Sequence, residues 1–158
     1  MAGLDKLDAA MAFHKEKKEE AVRAKDHARQ EKLRFEQEAG VFLQTVAHPV
    51  FEMVGNHLRQ GGHDFHIETD TKDVSLTLHI YVDSTRADHY LNRDHMSHPQ
   101  VALKADPHSA VLRFYSVRKF RSGGGQSGSE GQPYSLAQLN ADVVRNVAID
   151  VISDSLTK

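Results

Sequence analysis

The chain contains no cysteine among its 158 residues. This absence excludes disulfides, thiolate nucleophiles, iron–sulfur clusters and every zinc site built on cysteine. It is also typical of proteins from a reducing compartment. Tryptophan is absent too, which removes one of the residues most enriched at binding hot spots.

Long apolar segments are also missing. No run of apolar residues approaches the roughly 20 that a membrane-spanning helix needs. The opening segment, MAGLDKLDAAMAFHKEKKEE, carries acids close to its start and no long apolar stretch, so it lacks the features of a secretory signal. We therefore predict a cytoplasmic protein with no membrane among its partners.

Neither sign of charge dominates the composition. The 20 Lys and Arg residues and the 22 Asp and Glu residues give a net charge of −2, which provides no general attraction to nucleic acid or anionic lipid. Binding of that kind would require a local basic patch. The length suits one domain with a substantial core.

Residues 1–40 differ in composition from the rest of the chain. They contain no proline, bases and acids are equal in number, and good helix formers dominate. Steps of three and four residues from Leu4 to Phe42 trace a heptad seam. Lysines occupy three of its core positions: Lys18, Lys25 and Lys32. The segment is predicted to be a charged helical arm, either solvated and partly disordered or docked on a partner or a second copy.

Residues 41–158 are predicted to form one domain, which begins with a helix that has a continuous apolar face. Apolar residues recur at helical spacing from Phe42 to Leu58, and Gly61 follows as a stop signal. Pro49 either kinks this helix or begins a second one. The apolar face is expected to pack on the core.

Two hairpins are predicted in the middle of the chain. In VSLTLHIYVD apolar and polar residues alternate strictly, which is the pattern of a strand with one buried face. Together with DFHIET it forms the first hairpin, in which Ile67 is expected opposite Leu76. In the second hairpin the turn DPHS joins two strands, and Leu103 is expected opposite Leu112.

The remaining segments complete the predicted fold. RSGGGQSGSEGQP is predicted to be a flexible loop, and its G-x-G-x-x-G is not a dinucleotide site because no helix begins within it. A C-terminal amphipathic helix is predicted from Ser135, which forms a capping-box pair with Gln138. The expected fold is α+β, with a small antiparallel sheet of about four strands and helices on one face.

Histidines are concentrated in the connection DHYLNRDHMSHPQ. His95 and His98 are three residues apart, and His89 and Asp94 are close enough in sequence to join them. Zinc or another transition metal needs three or four such ligands. The alternative is a polar surface loop, because Arg93 opposes a bound cation and the H-E-x-x-H pattern is absent.

The segment RFYSVRKFR mixes bases with aromatic residues, the combination that binds phosphates and stacks on bases. The candidate residues for nucleic-acid or anion binding are Arg113, Tyr115, Arg118, Lys119 and Arg121. The alternative is a strand whose aromatic residues face the core and whose cations keep an edge soluble. Alternation predicts Arg113, Tyr115 and Val117 on the outer face.

Three functions are compatible with these patterns. The favoured one is a non-catalytic interaction or assembly protein that self-associates or binds another protein, because residues 1–40 have too little apolar surface to fold alone. The second is nucleic-acid or anion binding through residues 113–121. The third is a metal-dependent enzyme that uses zinc or another transition metal held by residues 88–98; otherwise no cofactor is expected.

Overall fold

The computed structural model describes residues 2–91, 98–119 and 126–157. It has the predicted α+β fold, an antiparallel sheet with helices packed on one face. The elements in chain order are α1 (Ala2–Phe42), a π-helical turn (Leu43–Ala47), α2 (His48–Gln60), β1 (Asp64–Asp70), β2 (Ser75–Tyr81), α3 (Arg86–Leu91), β3 (Gln100–Asp106), β4 (Val111–Lys119), β5 (Gln126–Tyr134) and α4 (Ala141–Thr157).

A long helical segment opens the described chain, since α1 passes through the π-helical turn into α2 without interruption. Pro49 lies in the first turn of α2, where its missing N–H costs least. The N–H of His48 donates to a carbonyl five residues earlier. This wider turn brings the proline into the helix without breaking it.

The sheet is a meander in which the strands lie side by side in the order β1-β2-β3-β4-β5. Its middle is marked by a row of three large side chains on one face, because Leu76 pairs with Leu103 and Leu103 with Phe114. Leu76 and Leu103 are fully buried. Helices α2 and α4 cover this inner face, so the row lies at the centre of the core.

Both predicted hairpins form, but their registers differ from the prediction by two residues. Ile67 pairs with Leu78 rather than Leu76, and Leu103 pairs with Phe114 rather than Leu112. In each hairpin the fourth residue after the first strand has a positive φ, 49° at Val74 and 53° at Ala110. This left-handed residue lengthens the turn, so each residue pairs with a partner two positions further on. A shift of two residues leaves the same side chains on the inner face, as predicted.

The fifth strand corrects the prediction of a flexible loop at RSGGGQSGSEGQP. Residues 126–134 pair antiparallel with β4, and the pairing is irregular between Arg113 and Tyr115. Pro133 lies in this last strand of the sheet, where a residue without an N–H is tolerated. Pairing with β4 therefore overrides the weak strand preference of glycine and serine.

Helix α4 begins six residues later than predicted. The side chain of Gln138 accepts a hydrogen bond from the N–H of Ser135 at 3.0 Å, which is half of the expected capping box. That pair closes a turn, however, and the helix starts at Ala141. The side chain of Asn140 accepts from the N–H of Val143 at 2.9 Å and is the actual N-cap.

The core joins α1 to the domain before the predicted boundary at residue 40. Phe35 and Ala39 of α1 are buried together with residues of α2, the sheet and α4. The boundary therefore falls inside a helix, and the contact with the core begins about one turn earlier. Residues 3–31 of α1, in contrast, are exposed.

Candidate interaction surface

The first part of α1 projects from the domain as an exposed arm. Every side chain from residue 3 to residue 31 is exposed. At a rise of 1.5 Å per residue, this segment is about 44 Å long. Three apolar side chains near its start, Leu4, Leu7 and Met11, are each more than half exposed.

One side of the arm combines apolar and basic residues. At about 100° per residue, an arc of about 100° around the helix contains, besides His14, ten residues that are apolar or carry a positive charge. They are Leu4, Leu7, Met11, Lys15, Lys18, Val22, Lys25, Arg29, Lys32 and Leu33. The acidic residues between 3 and 31 lie further round the helix: Asp5, Asp8, Glu16, Glu19, Glu20, Asp26 and Glu31. We call the first set the basic face of the arm.

An apolar groove lies between α2 and α4. Its volume is about 860 Å³. The apolar side chains that line it are Met53, Val54, Leu58, Ile149, Ile152 and Leu156. Met53 and Ile149 are 52% and 43% exposed, which is unusual for large apolar side chains that point into the same concavity. We call this the α2–α4 groove.

The surroundings of the α2–α4 groove are acidic. Glu52 is one of its lining residues, and Asp150 is exposed beside Ile149. Helix α4 carries three aspartates and a single base, Arg145, which pairs with Asp142 at 3.1 Å. Asp154 is paired in turn with Arg118 of β4, so the negative charge beside the groove comes from Glu52 and Asp150.

The predicted basic strand is divided between the two faces of the sheet. Arg113 and Tyr115 lie on the outer face, as predicted, whereas Arg118 alternates onto the helix-covered face. There its Nε lies 3.2 Å from a carboxylate oxygen of Asp154 in α4. Arg118 therefore joins the sheet to α4 rather than belonging to the outer surface.

The outer-face residues of this strand meet a carboxylate on β5. Glu130 lies 3.5 Å from Nη1 of Arg113 and accepts a hydrogen bond from the hydroxyl of Tyr115 at 3.4 Å. Burial, followed by the charge of Glu130, raises the pKa of Tyr115. This contact lowers the local positive charge. The side chain of Lys119 and the whole of Arg121 lie outside the described residues.

The predicted metal ligands are only partly described. Asp94 and His95 lie outside the described residues, as does the side chain of His89. His98 is buried, and its Nε2 lies 2.8 Å from Nδ1 of His79 on β2. Among the residues that the structure describes, no three His, Asp or Glu side chains are arranged to hold a metal ion. The metal site therefore stays a prediction.

His98 belongs to a chain of polar contacts that crosses the outer face of the sheet. Nε2 of His79 donates to a carboxylate oxygen of Glu68 on β1 at 2.9 Å. On the other side of the same ring, Nδ1 of His79 is the atom that meets Nε2 of His98. His66 stacks beside His79, with the ring centroids 6.0 Å apart. Contacts on both ring nitrogens hold the His79 ring in one orientation.

Sequence reasoning missed the roles of Glu68 and His79. Both lie on the outer face of the first hairpin, where the predicted register would have made His66 and His79 diagonal neighbours. The two-residue shift in register makes them direct partners instead. The contact to His98 joins positions 19 residues apart, and no spacing pattern in the sequence indicates it.

We expect His66 to make stability fall as the pH falls. Burial, followed by the charge of Arg86 and of His79, lowers the pKa of His66 below its ordinary 6.5. The unfolded chain therefore binds the proton more readily, so this contribution is present above pH 6.5 and is lost toward the lower pKa of the folded state. Urea unfolding at pH 7.5 and 5.5 measures it. The free energy of unfolding should fall less in His66→Gln than in the unchanged chain, and equal falls would contradict the assignment.

No helix in the described part of the chain is both long and apolar enough to cross a bilayer. Comparison with known proteins finds no family model, curated protein or solved structure that is significantly similar to this chain. The function must therefore be inferred from the geometry of the chain itself, above all from the arm and the α2–α4 groove.

Proposed function

We propose that this protein is a non-catalytic assembly protein that self-associates through its helical arm. The observation that carries the proposal is the exposure of every side chain from residue 3 to residue 31, with Leu4, Leu7 and Met11 aligned on one side. Isolated exposed apolar residues are normal, but an aligned row on a projecting element is typical of an interaction surface.

Exposure to water is compatible with most residues of the arm but not with the row of Leu4, Leu7 and Met11. The Glu, Lys, Arg and Ala residues are good helix formers that water tolerates well, so a long solvated helix explains their abundance. Leu4, Leu7 and Met11 gain nothing from exposure to water, and each would gain about 1.5–3 kcal/mol from burial. Self-association supplies that burial without a second kind of protein.

Nucleic-acid or anion binding has less support as the function. Arg113 and Tyr115 face Glu130, and Arg118 faces Asp154. Each carboxylate would have to be displaced or would repel a phosphate, and this reduces the attraction on which such binding depends. The contacts of His79 with Glu68 and His98 do not by themselves favour a particular reaction.

A triple substitution in the arm tests the proposal. Leu4→Gln, Leu7→Gln and Met11→Gln together keep the helix propensity and change no buried residue. We expect the dimer dissociation constant to rise at least about 100-fold, because three apolar side chains no longer become buried on association. Light scattering across a concentration series measures the mass of both proteins.

Phe13→Gln is the matched control for this experiment. Phe13 is also more than half exposed, but it lies about 200° around the helix from Met11. Its loss should leave the dissociation constant within about threefold of the unchanged value. If the triple substitution also leaves the mass distribution unchanged, self-association does not use this side of the arm and the proposal is wrong.

A further inference from the structure

We infer that the α2–α4 groove of a second copy receives the N-terminal part of the arm. This inference rests on the proposed function and adds to it the receiving surface. The arm needs a partner surface that takes the apolar side chains at its start and offers negative charge to the bases that follow them. Among the described residues, the α2–α4 groove has both properties.

The apolar parts of the two surfaces match in kind and size. Leu4, Leu7 and Met11 stand on successive turns of one helix, so they span about 10 Å along it. The groove has a volume of about 860 Å³, enough for several such side chains. Met53 and Ile149 are half exposed where it opens to solvent, and a docked helix would cover them.

The charges favour the groove over direct pairing of two arms. If two basic faces met each other, Lys18 and Lys25 of each copy would lie close to the bases of the other and repel them. The groove offers Glu52 and Asp150 instead. The basic face of the arm therefore meets opposite charge in the groove and like charge in another arm.

A closed, reciprocal pair would use both surfaces of each copy. In a two-fold dimer the arm of each copy would lie along the domain of the other, so the same contact would form twice. The exposed arm contains about 30 residues, comparable to the 20–30 residues that each partner commonly supplies to a specific interface. Two such contacts leave neither groove uncovered.

Cross-linking between two single variants tests the inference, and the absence of cysteine makes the product unambiguous. The Leu7→Cys variant and the Met53→Cys variant are prepared separately, mixed, and treated with a short bismaleimide. We expect a product that joins one molecule of each variant, identified by peptide mass spectrometry. Phe13→Cys replaces Leu7→Cys in the control mixture and should give at least fivefold less product.

The outcomes separate this inference from the proposed function. If Leu7→Cys joins to itself and not to Met53→Cys, the arms pair with each other; the groove proposal fails and self-association stands. If the unchanged chain is a monomer at every concentration and no mixed product forms, both proposals fail. A mixed product accompanied by a dimeric mass supports both.

Substitutions in the groove provide a second, independent readout. Met53→Gln with Ile149→Gln alters two half-exposed side chains and should raise the dissociation constant at least tenfold. Combined with the triple substitution in the arm, it should add little, because the two sets of side chains contact each other. Val41→Gln, an exposed position outside the groove, is the control. Fully additive effects would overturn the inference.

Discussion

Leu103→Ala is expected to lower the free energy of unfolding by about 2–5 kcal/mol. Leu103 is fully buried on the central strand, between Leu76 and Phe114 on the neighbouring strands. Truncation leaves a cavity beneath helices that are fixed by their other contacts, so little collapse can fill it. For a chain of this length the melting temperature should fall by roughly 5–15 °C.

Lys104→Ala is the matched control for the central position. Lys104 follows Leu103 on the same strand but points to the opposite, exposed face, and its Nζ lies 5.4 Å from the ring centroid of Tyr115. Its truncation should cost less than about 1 kcal/mol. Chemical unfolding measures both variants. Equal losses would contradict the assignment of the inner and outer faces.

Gly55→Ala is expected to destabilise the protein, although alanine is the better helix former. A Cβ at position 55 would lie 2.4 Å from Cδ2 of Phe65 on β1. The ring is also packed under Arg59, whose guanidinium carbon lies 4.4 Å from the ring centroid, so it must shift to make room. Overpacking of this kind costs about 1–3 kcal/mol, which exceeds the gain of up to about 1 kcal/mol in helix propensity.

Gly40→Ala is the matched control, and it is expected to raise the free energy of unfolding rather than lower it. Gly40 lies within α1, and a Cβ built there meets no atom within 4 Å. The substitution should therefore stabilise the protein by up to about 1 kcal/mol. Unfolding in urea measures whether each variant gains or loses free energy of unfolding. A stabilised Gly55→Ala variant would mean that α2 does not pack on Phe65 as described.

The alternation of side chains predicted the faces of the strands but not their partners. Ile67, Leu76 and Leu78 face the core as expected, because a period of two depends only on the local sequence. The register depends on the turn, and both turns contain a left-handed residue that is not glycine. A positive φ is rare for a β-branched residue such as Val74, so the sequence favoured the shorter turn.

The fifth strand and the histidine chain could not be predicted from local sequence patterns, because both depend on contacts between distant residues. Residues 126–134 are rich in glycine and serine, and their strand conformation depends on pairing with β4. The contact between His79 and His98 also depends on tertiary structure. In contrast, the helical nature of residues 1–40 followed from composition alone, since good helix formers dominate without proline.

The arm illustrates what spacing can and cannot predict. The seam from Leu4 to Phe42 has a different environment at each end. Phe35 and Ala39, near its C-terminal end, are buried because the domain packs there, while Leu4 and Leu7 are exposed to solvent. The same seam therefore contributes to the core at one end and to the proposed interface at the other.

Sedimentation equilibrium of the unchanged chain tests self-association most directly. The monomer has a mass of 17.7 kDa. We predict a weight-average mass that rises with concentration toward twice this value, and that falls back when Leu4, Leu7 and Met11 are replaced by glutamine. A mass that stays at 17.7 kDa over the whole accessible concentration range would contradict it.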